Sequence, residues 1–186
     1  MNRKYILLTI VITVAFAVTG TFLFHEPDEN HPSSNSVITS YKLDSKNKSD
    51  TYLYFLDLEG NYLIGEARQN LNSPDPVEFG KKIVQAIIDG PKERLISTIP
   101  KETELRALHI SQEGTAYVDL SENIETYHPG GSVHEYFTIF SIVNSLILNV
   151  PEIKTVKFLK GGCEALTLAG HIDLRLPFKA NMLLVR

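Results

Sequence analysis

The segment that decides the fold is residues 132–178, SVHEYFTIFSIVNSLILNVPEIKTVKFLKGGCEALTLAGHIDLRLPF. Ser132 and Glu135 have the spacing of a capping box, in which each side chain bonds the other residue's backbone N–H at a helix start. Apolar residues then recur every three or four positions up to Val150, which is typical of a helix with one broad buried face. Pro151 ends this predicted helix because proline cannot continue it.

A short strand and a tail follow this helix. Residues 155–159 predict a strand, which the Gly161–Gly162 pair ends. The tail 165–178 alternates apolar and polar residues around Gly170. It is expected either to close the domain as a strap or to offer an edge to a partner strand, and the sequence leaves both open. The single cysteine, Cys163, is expected to pack as a small residue beside the glycine pair.

Two hairpins are predicted upstream. Residues 51–56 are rich in aromatic and β-branched residues, and residues 62–67 follow after a Glu-Gly-Asn turn. Residues 105–110 and 115–120 flank Gly114 in the same way. Four strands are therefore expected before residue 121.

Another helix is predicted between these hairpins. Asp75 is a suitable N-cap, Pro76 suits the first helical position, and Glu78 stands three residues after the cap. Gly90 is expected to end the helix in a left-handed conformation, before Pro91. Residues at helical spacing form its apolar face: Val77, Gly80, Ile83, Val84, Ile87 and Ile88.

The predicted fold class is α+β. The order strand, helix, hairpin, helix, strand, with an extra strand at residues 62–67 and a C-terminal strap, favours a two-layer sandwich. Both helices would pack on one face of a sheet, which leaves its other face as a natural contact surface.

The N-terminal segment is expected to export the domain. Residues 5–24 carry no charge and would span about 30 Å as a helix, the thickness of a bilayer core. Because Arg3 and Lys4 precede the segment and acidic residues follow it, the N-terminus is expected inside the cytoplasm. Residues 1–24 are thus a transmembrane anchor or a signal peptide cleaved after residues 15–17.

Residues 25–50 are predicted to be a polar tether, and residues 51–186 the folded domain. No cysteine lies near residue 20, so a lipoprotein is not expected. The net charge of −4 provides neither a footprint for nucleic acid nor a strong electrostatic attachment to anionic lipid.

The histidines do not predict a metal site. His128 and His134 flank a Pro-Gly-Gly-Ser stretch, and His171 alternates with Asp173. A structural or catalytic site needs three or four ligands at suitable spacing, and neither His-x₃-His nor paired cysteines are present. We interpret these histidines as surface or capping residues and expect no metal.

No catalytic or cofactor-binding residues are predicted either. The chain lacks a Gly-x-Ser-x-Gly motif, and no P-loop lysine follows the helix start at Gly130-Gly131-Ser132. Asp57 and Glu59 form a candidate acid/base pair, but turns collect acidic residues anyway. The sequence therefore favours a domain that acts by contact and not an enzyme.

The chain resembles the GerMN domain, the sporulation and spore-germination module of bacterial cell-envelope proteins, over about residues 51–178. The segments that carry the resemblance are Tyr52-Leu-Tyr-Phe-Leu56, Ile87-Ile-Asp-Gly-Pro91, Ser97-Thr-Ile-Pro-Lys-Glu-Thr103, Tyr117-Val-Asp-Leu-Ser121, Phe140-Ser-Ile-Val-Asn-Ser-Leu146, Val156-Lys-Phe-Leu-Lys-Gly161 and Thr167-Leu-Ala-Gly-His-Ile-Asp-Leu174. The resemblance implies an extracytoplasmic, non-enzymatic domain tethered to a membrane, without catalytic residues to carry over. The chain departs from the best-known relative in holding one copy and lacking a lipid-attachment cysteine.

Three functions follow, in order of preference. The first is a membrane-anchored adaptor or assembly module that binds another envelope protein or itself. The second is a binding module for a small ligand or peptidoglycan fragment, in which Tyr52, Tyr54 and Tyr117 would stack on sugar rings. The third is a cell-wall hydrolase, which would need converging carboxylates or histidines that the spacing does not indicate.

Overall fold

A computed structural model describes residues 50–186. Strands β1 (Thr51–Leu56) and β2 (Leu63–Arg68) form the first predicted hairpin, with Tyr52 opposite Ala67. Asp57 closes its turn, because its carboxylate accepts hydrogen bonds from the backbone N–H of Asn61 (2.7 Å) and Tyr62 (3.0 Å). The acidic residue of this turn therefore has a structural role.

Helix α1 (Pro76–Ile88) begins and ends as its sequence predicts. The Asp75 side chain accepts a hydrogen bond from the Val77 N–H at 2.9 Å, and Pro76 stands at the first helical position. Gly90 has a φ of 89°, the left-handed conformation that lets the chain leave the helix. A buried ion pair between Glu66 and Arg68 holds the chain that follows.

The larger sheet has the order β3–β4–β5–β6. Strands β3 (Leu105–Ile110) and β4 (Thr115–Leu120) form the second predicted hairpin. Strand β5 (Thr155–Lys160) is one residue longer than predicted and runs parallel to β4, and β6 is Cys163–Glu164.

The crossover between the parallel strands β4 and β5 contains two helices. Helix α2 (Asn123–Tyr127) is a single short turn that the sequence did not predict. Helix α3 (Ser132–Asn149) is the long amphipathic helix, and it packs on β1, β5 and α1. A 3-10 helix, Met182–Leu184, lies near the C-terminus.

The α+β class is confirmed, but the described strands form two sheets and not one. Helix α1 packs on β3 and α3, with Gly80 so close to β3 that an added Cβ would lie 3.2 Å from the Leu108 side chain. The fully buried side chains come from both sheets and both long helices; the largest include Phe55, Ile83, Ile139, Leu146 and Phe158.

Strand β1 stays out of the larger sheet because polar side chains of α3 occupy its outer edge. Ser145 Oγ accepts from the Tyr54 N–H at 3.0 Å, and Ser141 Oγ donates to the Tyr54 carbonyl. Asn149 bonds both the N–H and the carbonyl of Tyr52, at 3.0 and 2.8 Å. These three residues recur every four positions and so form one stripe along the helix. The stripe satisfies backbone groups that a neighbouring strand would otherwise pair with.

The predicted membrane segment, residues 1–24, and the predicted tether, residues 25–50, lie outside the described residues except for residue 50. Among the residues described, none of the helices has the length and apolar character needed to cross a bilayer.

Candidate interaction surfaces

The start of α3 is not a capping box, and this part of the sequence interpretation is wrong. The N-cap is Gly131, and no side chain caps the helix. The Glu135 side chain is instead fully buried and bonds the backbone of the tail. Its Oε1 accepts from the backbone N–H of Leu168 (2.8 Å) and Ala169 (2.9 Å), and its Oε2 accepts from the His171 N–H (2.8 Å).

These bonds set the charge state of Glu135 and the position of the tail. Burial by itself would raise the pKa of the Glu135 carboxyl, but the backbone N–H groups of the tail outweigh burial and lower it. The carboxylate therefore stays ionised and ties residues 168–171 to the first turn of α3.

His128 is a neutral hydrogen-bonding residue between α2 and α3. Its Nδ1 accepts from the Gly130 N–H at 3.0 Å, so the ring proton is on Nε2, which lies 3.0 Å from Thr138 Oγ1. The Thr138 hydroxyl in turn donates to a backbone carbonyl of Thr98 or His134. Burial lowers the pKa of His128, which favours this neutral form.

The remaining histidine candidates lie at the surface. His134 is exposed at the start of α3, and His171 is partly exposed, with Nδ1 3.2 Å from Glu135. Asp173 forms an ion pair with Arg175, whose hydrogen bonds lower the pKa of Asp173 to about 2. Within residues 50–186, no three His, Cys, Asp or Glu side chains are grouped closely enough to hold a metal ion.

The other residues considered for catalysis or ligand binding are found in turns and in a short strand. Hydrogen bonds from the Tyr62 and Asn61 N–H groups lower the pKa of Asp57, which makes it a poor general acid beside Glu59. Gly130 and Gly131 both have positive φ and form the turn into α3. Cys163 is exposed in β6, so the expectation that it packs beside the glycine pair is wrong.

The tail acts as a strap. The N–H and carbonyl of Phe178 both bond Val156, at 2.8 and 2.9 Å, beside the edge of β5 that β6 also occupies. The tail further covers Lys157, whose Nζ donates to the Arg175 carbonyl. Of the two roles that the sequence left open for this segment, the structure supports closure of the domain.

Among residues 50–186, the outer face of the larger sheet is exposed at β3 and β4 and is covered by the tail at β5. The inward residues of β4, Ala116 and Val118, are fully buried, so Tyr117 and Asp119 point outward. Tyr117 is 37% exposed and stands opposite His109, while Arg106 forms an ion pair with Asp119 at 3.1 Å. We name the patch formed by Arg106, Ala107, His109 and Tyr117 the open face; it lies on β4 and on β3, the terminal strand of the sheet.

Two of the three tyrosines proposed for sugar stacking lie together, and the third does not. An added Cβ on Gly65 would lie 3.4 Å from the Tyr54 ring and 3.5 Å from the Tyr52 ring, so both rings pass close to this glycine on the outer face of β1–β2. Tyr52 is 46% exposed. Tyr117 belongs to strand β4 of the other sheet.

A cleft of about 340 Å³ lies where the β1–β2 turn meets residues 96–102 and the start of α3. Its floor consists of Leu56, Ile99 and Phe137, which are buried. Leu58 and Tyr127, exposed by 49% and 55%, stand at its rim. The sequence did not predict this cleft because its walls come from segments that are distant along the chain. Its only sequence signal is the large apolar residues in turns, where polar residues are expected.

The family model described as Germane, sporulation and spore germination, matches residues 52–165. The chain belongs to this family. The resemblance to the GerMN domain seen in the sequence is thereby confirmed. No curated protein matches the chain.

Solved structures share the fold. The first GerMN domain of the sporulation protein GerM from Bacillus subtilis is 17% identical, with a TM-score of 0.58 over 71% of this chain and 97% of that domain. The tandem GerMN domains of the same protein are 19% identical, with a TM-score of 0.56. That match covers 69% of this chain and 45% of the tandem. A "putative lipoprotein" from Clostridium perfringens is 25% identical, with a TM-score of 0.52 over 70% of this chain and 86% of that one.

The family is a sporulation and germination domain family and not a known enzyme class. Because the two Bacillus subtilis structures are only 19% and 17% identical to this chain, their similarity shows a shared fold and not a shared function.

Proposed function

We propose that this protein is a non-enzymatic adaptor or assembly module of the bacterial cell envelope, with a link to sporulation or spore germination. Its single N-terminal span, residues 5–24, would hold the folded domain outside the cytoplasm; cleavage of that segment would instead release the domain. The family match and the description of the Clostridium perfringens relative as a lipoprotein support an extracytoplasmic, membrane-associated place.

The observation that carries the proposal is the open face on β4 and the terminal strand β3. The tail strap already fills the β5 edge of the sheet and covers Lys157, so the chain closes one side of its own sheet and leaves the other side accessible. On that side, Tyr117 and His109 form an exposed aromatic row next to backbone groups at an edge. Aromatic residues are enriched where proteins contact each other, and open strand edges pair readily.

The test is photo-crosslinking in living cells with the full-length chain. A photo-reactive phenylalanine analogue replaces Tyr117, and a matched control places the same analogue at Tyr52, which is similarly exposed but on the smaller sheet. We expect one discrete protein adduct from position 117, either with a defined envelope protein or with a second copy, and none at that size from position 52. Equal labelling from both positions, or none from position 117, would contradict an adaptor that works through this face.

A second candidate function, binding of peptidoglycan fragments, is favoured by the Tyr52–Tyr54 pair over Gly65. Tyr52 is 46% exposed, which leaves part of its ring accessible to a sugar ring. The test is cosedimentation of the protein with insoluble peptidoglycan. Tyr52→Ala is expected to weaken binding by about threefold to tenfold, and Tyr117→Ala is the control that should leave it unchanged. Equal binding by both variants would contradict this function.

A further inference from the structure

The cleft between the β1–β2 turn and α3 has walls that the fold holds in place. The backbone of Ile96 bonds Leu56 twice, with its N–H donating at 2.8 Å and its carbonyl accepting at 3.2 Å. Asp57 fixes the turn on one wall, and the Thr138 hydroxyl can donate to the Thr98 carbonyl on the other. A cleft that is already formed loses little conformational freedom when it is filled.

The apolar part of the cleft calls for aliphatic or aromatic side chains. Leu56, Ile99 and Phe137 form a floor that a ligand would cover, and Leu58 and Tyr127 at the rim would be covered with it. A volume of about 340 Å³ lies at the lower end for ligand pockets and suits two or three side chains of an extended segment. A cleft of this volume is too small to enclose a helix, whose diameter with its side chains is about 10 Å.

The charge of the cleft selects among such segments. Glu59 lies on the turn and Glu102 on the facing loop, whereas the lining that residues 50–186 supply contains one histidine, His134, and neither lysine nor arginine. Neither carboxylate forms an ion pair with any residue in the described part of the chain. A ligand that carries a cation beside an apolar group could therefore pair its cation with Glu59 or Glu102 and place its apolar group on the floor of the cleft. A ligand with an acidic group would be repelled by the same carboxylates.

We propose that this cleft binds an extended segment of a partner protein in which lysine or arginine alternates with leucine-like side chains. The inference rests on the adaptor function proposed above and names the chemistry of the partner. Its binding surface is distinct from the open face of the larger sheet.

The probe is a fluorescein-labelled peptide with two leucines and two lysines in alternation, titrated against the purified full-length chain in detergent and followed by anisotropy. One matched peptide replaces both lysines with glutamates, and another replaces both leucines with serines. We expect saturable binding of the first peptide only, weakening as salt rises because the contacts at the rim are screened.

Single variants locate the binding. Glu102→Lys and Glu59→Lys are each expected to weaken binding by about fivefold, the effect of replacing an attraction with a repulsion at an exposed position. Tyr127→Ser should weaken it through lost apolar contact. Glu78→Lys, which makes the same charge change on the exposed side of α1, is the control and should leave binding unchanged.

Two results would overturn the inference: equal binding of the lysine and glutamate peptides, or binding that Glu78→Lys and Glu102→Lys reduce equally. Because the mutated residues are exposed, unchanged melting of each variant excludes unfolding as the cause. If the peptide tests fail but the photo-reactive analogue at position 117 still gives its adduct, only the inference about the cleft is refuted. Loss of the adduct at position 117 would instead refute the adaptor function on which it rests.

Discussion

The buried carboxylate of Glu135 gives the most direct test of how the domain holds its own tail. Replacing Glu135 with alanine removes the acceptor for three backbone N–H groups, those of Leu168, Ala169 and His171. A hydrogen bond to a charged group contributes about 1.5–3 kcal/mol. Because the tail can shift and water can reach the freed N–H groups, we expect a loss of about 3–5 kcal/mol of unfolding free energy.

Glu135→Gln sharpens the experiment because it keeps the size of the side chain. Its amide oxygen can still accept, but its NH₂ group would face an N–H donor of the tail. We expect a smaller loss, of about 2 kcal/mol. Glu78→Gln, at an exposed ion pair with Lys81, is the control and should change stability by less than about 0.5 kcal/mol.

Two measurements check this prediction. Urea unfolding followed by circular dichroism gives the free energy of unfolding, and hydrogen exchange reports on the amides of Leu168, Ala169 and His171 individually. The amides should exchange faster in Glu135→Gln even where the rest of the domain stays folded, because local opening of the tail exposes them. Unchanged exchange at all three amides, together with an unchanged urea midpoint, would refute the view that Glu135 holds the tail.

Three further predictions follow from single contacts. Ser145→Ala should lower stability by about 1 kcal/mol because the Tyr54 N–H loses its acceptor, whereas Ser132→Ala, which removes no capping bond, should have almost no effect on urea unfolding. Gly90→Val should cost about 1 kcal/mol or more at a φ of 89°, and an unchanged melting temperature would contradict this. Burial lowers the pKa of His128 in the folded protein, so as the pH falls the unfolded chain takes up a proton at a higher pH than the folded chain does. The contribution of His128 to stability should therefore be fully present above about pH 6.5 and decrease below it. His128→Gln should abolish this decrease in a series of melting curves at different pH.

Local signals in the sequence predicted most of the elements. The glycine turns placed both hairpins, with β3 and β4 at their predicted bounds, and Asp75 with Gly90 placed α1. These predictions succeed because turn and cap preferences depend on a few neighbouring residues.

The errors arose where a short motif has more than one structural solution. Ser132 and Glu135 match a capping box, but the spacing alone does not indicate whether the glutamate turns back to the helix start or outward to a distant loop. The stripe of Ser141, Ser145 and Asn149 was likewise hidden inside an amphipathic pattern. Its partner, the edge of β1, lies about 90 residues away, at separations of 87 to 97 positions. Tertiary contacts of this kind decide how strands are distributed between sheets.

The cleft and the open face depend even more on tertiary structure. His109 and Tyr117 lie side by side on the open face because they are opposite each other in the register of β3 and β4. The hairpin prediction gave the bounds of the two strands but not this register. The cleft joins the β1–β2 turn to the segment after α1, residues 96–102, and no sequence spacing connects them.

The unequal edges of the larger sheet limit how copies of this domain can assemble. Among the described strands of that sheet, β5 is flanked by β6 and Phe178, and the terminal strand β6 has only two residues, so the six-residue strand β3 is the longer edge for strand addition. Two copies that pair through β3 would consume the free edge of both and form a closed two-fold dimer that cannot grow. A ring or filament would need two different surfaces, one on each side of every copy. The number of subunits in a purified assembly would therefore distinguish pairing at β3 from head-to-tail contact.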